Sequence, residues 1–166
     1  AQPIIWTGRR TLTFPRAPDS QKPVLVPAGS LAGPTPTQPL VLSPNHRVLI
    51  TGPQVREITG RPEALGPVKG LLGQRGIRRM QGKRRVTYVT LMLPSHQVIH
   101  ANGAPVESFF PGPTALGMVT KSQRLEILQA APELARNPES GYGPPARPLL
   151  TRRQVAAIVS MPVPHL

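Results

Sequence analysis

Two stretches of this chain carry side chains able to act on an amide bond. Ser43-Pro44-Asn45-His46 sets a hydroxyl three residues ahead of an imidazole, on backbone bent by a proline. Such a pair suits acyl transfer. An amide nitrogen is a poor leaving group, so an imidazole that protonates it and a hydroxyl that orients it both lower the barrier. The plainer reading is a turn, because serine ahead of proline is common in loops, and on these four residues alone it is the stronger. The second stretch holds His96, then Asn102-Gly103, then Glu107-Ser108. Taken singly these are a solvated histidine, a hairpin turn and the polar end of a strand.

The elements that would hold these groups are mostly short strands. Asn102-Gly103 is a strong hairpin signal, since a type I′ turn needs positive φ at both central residues. His96–Ala101 and Ala104–Phe109 are then its two arms. Before them, RRVTYVTLML places Val89, Leu91 and Leu93 on one face at period two, with Thr87 beginning the row, and Pro94-Ser95 turns the chain. LVLSPNHRVLITG reads as a strand pair broken at Ser43-Pro44, where proline removes a ladder donor. Residues 3–14 read as two short strands, IIWTG and RRTLTF, followed by PVLVPAG at 23–29 and a loop at 30–39. PQVREITG and EALGPVKGLLG read as brief strand-and-turn pieces.

After FFPGP the pattern becomes helical. Thr120 with Gln123 makes a capping box ahead of Leu125, Ile127 and Leu128, and the helix ends before Pro132. Thr151 with Gln154 repeats the device ahead of Val155, Ile158 and Val159. GYGPPARPLL between them is extended and proline-rich. The two helices are expected to cap the sheet.

Composition narrows the function classes. The 166 residues can form one domain, and 23 prolines, far above an average share of about 5%, favour short strands over long helices. There is no cysteine, which excludes disulfides, thiolate metal sites and a cysteine nucleophile within this sequence. His46, His96, His100 and His165 show no paired ligand spacing, so neither a metal nor another cofactor is expected. No apolar run reaches the roughly 18 residues of a membrane-spanning helix. The opening AQPIIWTGRR has no signal-peptide pattern and no initiator methionine, so the chain is expected to be a fragment or processed product.

Twenty basic residues against seven acidic ones give a formal charge of +13, a field that draws polyanions. The densest run is Arg75, Arg78, Arg79, Lys83, Arg84 and Arg85. It offers a contact surface for phosphate or an acidic partner segment. It reads more simply as a solvated hairpin whose arginines blunt an edge strand, and the lack of interleaved aromatics argues against nucleic acid.

Joined, the two chemical stretches resemble the Hint (Hedgehog/intein) superfamily. SPNHRVLITG is similar to its second block, a Thr or Ser, two residues, then His. VTYVTLMLPSHQVIHANGAPVES is similar to its C-terminal block, a strand running through a histidine to an Asn-Gly turn. IIWTGRRT with PVLVPAGSL resembles the bacterial Hint-type branch often attached to secreted calcium-binding repeat proteins, and YGPPARPLLTRRQVAAI fits that branch too. The resemblance spans residues 3–110. It implies an all-β, compact Hint-like fold over residues 1–113, truncated at its N-terminus, with a helical cap or extension at 114–166 packed on it.

The resemblance also implies roles. Ser43 takes the place of the block's hydroxyl, His46 that of the amide-protonating histidine, and His96 that of the histidine before the Asn-Gly turn. Inteins finish with His-Asn, and here those positions are Glu107 and Ser108, so the asparagine cyclisation of splicing is lost. Thr90 falls where relatives carry an acid or cysteine. The nucleophile that opens the superfamily's first block is missing from this chain. The implied function is autoprocessing, an N–S or N–O acyl shift that cleaves the chain's own upstream peptide bond, inactive in this cysteine-free piece. Its substrate is the upstream polypeptide, with acidic or calcium-binding repeat segments as further partners and secretion from a bacterium as the setting. A module that has kept the fold and lost the reaction, serving as a spacer or interaction domain, is the alternative.

Overall fold

The computed structural model describes residues 2–160. In chain order the strands are β1 (Trp6–Thr13), β2 (Val24–Val26), β3 (Leu40–Leu42), β4 (Arg47–Thr51), β5 (Glu63–Pro67), β6 (Arg78–Arg79), β7 (Arg85–Met92), β8 (Val98–Ala101) and β9 (Ala104–Glu107). The helices are α1 (Pro53–Thr59), α2 (Pro113–Met118), α3 (Lys121–Ala130), α4 (Glu133–Arg136) and α5 (Arg152–Ser160). The strands form three antiparallel sheets: the ribbon β1-β7, the three-stranded β3-β2-β6 and the four-stranded β5-β4-β9-β8. The chain is therefore mostly β, with short helices between and after the strands.

Residues 3–14, expected as two strands, form one. β1 pairs with β7 along its whole length, from Trp6 opposite Met92 to Thr13 opposite Arg85. Gly8 serves packing here and not a turn: a methyl group there would meet the Trp6 ring and lie 2.7 Å from the Thr90 hydroxyl. The face of β7 also differs from expectation. Val89 is 54% exposed, while Val86, Tyr88 and Thr90 are half-buried and Met92 is fully buried. Both rows of this strand contain apolar residues, so the alternation fixes the period and leaves its phase open. Tertiary contacts settle the phase, with the Tyr88 hydroxyl donating to the Gln21 carbonyl at 2.8 Å.

PQVREITG is a helix and not a strand-and-turn piece. Proline occupies its first turn, where the missing N–H costs nothing, and Gly60 ends it in the left-handed region at φ 70°. Val55 is its buried residue. Both capping boxes form. Gln123 N donates to Thr120 Oγ1 and Gln154 N to Thr151 Oγ1, each at 3.2 Å, and each glutamine side chain accepts from its cap amide. Leu125, placed by periodicity on the apolar face of α3, is exposed, and Ile127 is the residue that α3 buries.

The apolar residues divide into two clusters. One lies between the two larger sheets, built on Val24, Val26, Val48, Ile50, Ala64, Val68 and Val106, and Leu150, Val155 and Ile158 close it. The other joins Trp6 and Met92 of the ribbon to Leu116, Ile127, Leu134 and Tyr142. α3 and α5 thus serve different cores. α3 lies on β1, where Trp6 Nε1 donates to Glu126 at 2.9 Å and Gln123 to the Arg9 carbonyl at 3.0 Å. α5 lies over β5 and the 3-10 turn after it, with Val155 seated against Gly66 and Gly70. Among the described residues no helix is long and apolar enough to cross a membrane.

Candidate functional site

The hairpin turn sets the site by register. Asn102 and Gly103 have φ of 49° and 79°, the two positive values a type I′ turn requires. The arms then pair Ala101 with Ala104, His100 with Pro105, Ile99 with Val106 and Val98 with Glu107. One step beyond, Ser108 N donates to the Gln97 carbonyl at 2.9 Å and Gln97 N to Ser108 Oγ at 3.0 Å. His96 is therefore carried to the open end of the hairpin, beside Glu107. On the other flank Val48 pairs with Val106, which brings Arg47 and His46 to the same end.

Glu107 is the hub. Its Oε1 accepts the Arg47 amide at 2.9 Å, and its Oε2 lies 3.2 Å from the Arg47 guanidinium and 3.5 Å from His96 Nε2. Burial works to raise this carboxyl. His96, the Arg47 guanidinium, His46 and the Arg47 amide together outweigh it and hold the group below its ordinary 4.5. A buried, ionised carboxylate thus sits among one guanidinium and two imidazoles.

The two histidines differ in environment. Burial lowers His46 from its ordinary 6.5, the Glu107 carboxylate and backbone oppose that shift, and Arg47 adds to it. The net direction is down, so His46 is neutral at pH 7. Its backbone is held on both sides, with its amide donating to the Ser43 carbonyl at 3.0 Å and its carbonyl accepting from Val68 at 2.9 Å. Its Nε2 is buried with no hydrogen-bond partner. His96 is enclosed, with Nδ1 accepting the Ala146 amide at 3.1 Å and its ring tilted against Phe110 at 4.9 Å between centroids. Its Nε2 has no partner other than the loose 3.5 Å contact to Glu107.

Of the residues singled out by sequence, His46 and His96 meet at Glu107. Ser43 is tied to His46 through the backbone alone, its carbonyl accepting the His46 amide at 3.0 Å. The Asn102-Gly103 turn lies at the opposite end of the hairpin, where the Asn102 carbonyl accepts from the Thr37 amide at 2.8 Å and hydroxyl at 3.0 Å. Its part is to set register. Thr90 lies in the ribbon opposite Gly8. Ser108 is buried, with its hydroxyl engaged by Gln97. Sequence reasoning treated Glu107 only as a replaced residue and missed Arg47. Counting outward from a two-residue turn places Glu107 opposite Val98, two residues from His96, and was the available signal.

The family model for the Hint domain matches residues 1–113. The chain belongs to the Hint domain family. Searches of the curated proteins and of the solved structures return no match. The part matched as a Hint domain contains Ser43, His46, Arg47, His96, Glu107 and Ser108. The residue that meets His96 from the other side, Ala146, lies beyond it.

Proposed function

We propose that this Hint domain is an autoprocessing module that cleaves the peptide bond upstream of itself, with residues 1–113 as a compact Hint-like β domain and residues 114–166 as an extension packed on it. The observation that carries the reading is the buried, unpartnered Nε2 of a neutral His46 beside an ionised Glu107. A buried polar atom without a partner costs about 1–3 kcal/mol, and a substrate amide at that position removes the cost. The nucleophile that the reading requires is a thiol or hydroxyl residue at the scissile junction.

The junction nucleophile attacks the preceding carbonyl, a C–S or C–O bond forms, and the C–N bond breaks. The proton leaving the nucleophile ends on the freed amine, relayed through His46. Water then hydrolyses the ester, giving a carboxylic acid and restoring the nucleophile. Ser43 orients the amide, and Glu107 steadies the positive charge that His46 carries in passing. His96 completes the set from the far side of Glu107. Ser108 has no side-chain amide, so this module does not cyclise an asparagine at that position.

The test is expression of the full reading frame, followed by intact mass with and without a strong thiol. Cleavage at the domain's upstream boundary is expected, accelerated by thiol if the nucleophile is cysteine, and His46→Ala should slow it about a hundredfold or more. A folded full-length protein whose mass never changes would overturn the reading and favour a spacer or interaction module.

A further inference from the structure

We propose that the segment from Tyr142 to Leu150 is a positioning strap for His96: the Ala146 amide, by donating to Nδ1, leaves the ring proton on Nε2, where it faces the Glu107 carboxylate. A neutral imidazole has one donor and one acceptor nitrogen, so the partner of one nitrogen decides the role of the other. With Nδ1 occupied by an N–H, the Nε2–H tautomer puts a positive edge toward Glu107. The other tautomer would set N–H against N–H at Ala146 and a lone pair against the carboxylate.

The segment is built to hold that one donor in place. Pro144, Pro145 and Pro148 have no amide hydrogen, so between Gly143 and Leu149 only Ala146 and Arg147 can donate from the backbone. Both ends are anchored. The Tyr142 hydroxyl donates to the Leu93 carbonyl at 2.6 Å, three residues before His96. At the other end Leu65 N donates to the Pro148 carbonyl at 2.9 Å and Leu150 N to the Leu65 carbonyl at 2.8 Å, while Arg147 Nε meets Glu63 at 2.7 Å. Tyr142 also backs Phe110 at 6.0 Å, and Phe110 in turn covers His96. The strap lies wholly outside the residues matched by the family, so the Hint domain borrows this orienting contact from its C-terminal extension.

The tautomer follows from geometry alone, and its effect on rate rests on the autoprocessing reading. Long-range proton–nitrogen correlation on the wild-type chain should show His96 with a protonated Nε2 and a bare Nδ1, together with a coupling across the hydrogen bond to the Ala146 nitrogen. Ala146→Pro removes the donor and should give a mixture of tautomers; in the full reading frame cleavage should slow about tenfold or more, as when an orienting partner of a histidine is removed. Tyr142→Phe keeps the donor and loosens its anchor, so it should weaken the coupling in a protein that still folds. A proton on Nδ1 in the wild type, or an unchanged ring signature in both variants, would overturn the strap. Absence of cleavage with the ring signature as described would count against autoprocessing alone.

Discussion

At the scale of single residues, the site is a carboxylate kept charged inside the protein and an imidazole kept neutral beside it, and both consequences are measurable. In the unfolded chain His46 takes a proton near 6.5, while in the folded one it resists. As pH falls below that value the unfolded state binds the extra proton, so stability present at higher pH is lost. Glu107, held below 4.5 when folded, adds a second loss as pH falls below that value. Urea midpoints should therefore drop between about pH 7.5 and 5.5, and His46→Gln should flatten this first stage while sparing the second. Glu107→Gln removes the charge that offsets Arg47 and should cost about 2 kcal/mol or more at neutral pH. A midpoint unchanged by Glu107→Gln would mean that the Arg47 contacts carry no weight. His46 and His96 were singled out through the resemblance to the Hint superfamily; on their own residues they read as part of a turn and as a solvated histidine, whereas His96 is buried at 2% exposure. Glu107 was not singled out, because its importance comes from two neighbours 60 and 11 residues away.

At the scale of elements, what could be read depended on whether the signal was local. The Asn102-Gly103 turn and the two capping boxes are local chemistry, with donor and acceptor within three residues, and each forms as its sequence dictates. The helix α1 carried equally local signals, a proline at its start and a glycine at its end, yet a β-rich context obscured them. The buried row of β7 was not local at all, since the Gln21 carbonyl that takes Tyr88 and the helix residues Leu116, Ile127 and Leu134 clustered with Met92 decide it. The same non-local logic makes α5 part of the fold. A methyl group on Gly70 would lie 2.6 Å from Val155 Cβ, and one on Gly66 would meet the Val155 side chain, so neither position has room. Gly70→Ala should cost about 1–3 kcal/mol through overpacking. Gly66→Ala combined with Val155→Ala, which deletes the γ-carbon that the Gly66 methyl would meet, should cost less than the sum of the two single changes, and a strictly additive result would show that the two residues do not share the space.

At the scale of the whole molecule, the excess of +13 was plain from composition, but its distribution was not. The acids that form ion pairs are spread out: Glu107 meets Arg47, Glu63 meets Arg147, Glu133 meets Arg136 and Asp19 meets Lys22. Glu126 is taken by the Trp6 indole. The basic run between Arg75 and Arg85 receives no such partner among the described residues. Arg79 turns to the Ser20 carbonyl, and Arg10 across from it takes the Gln21 side chain. Both guanidiniums act on Tyr88, which burial still pushes up to about 12 against them. Arg10 of β1 and Arg79 of β6 thus both lie within electrostatic reach of Tyr88. A concentration of positive charge beside a short edge strand is expected to disfavour pairing with another chain and to cost stability at low salt. Raising salt from about 0.01 to 0.15 M shortens the screening length from about 30 to 8 Å and should raise the melting temperature. Arg79→Gln and Arg10→Gln should reduce that salt response. A melting temperature indifferent to salt would place the cationic side chains far enough apart in solution for their repulsion not to matter.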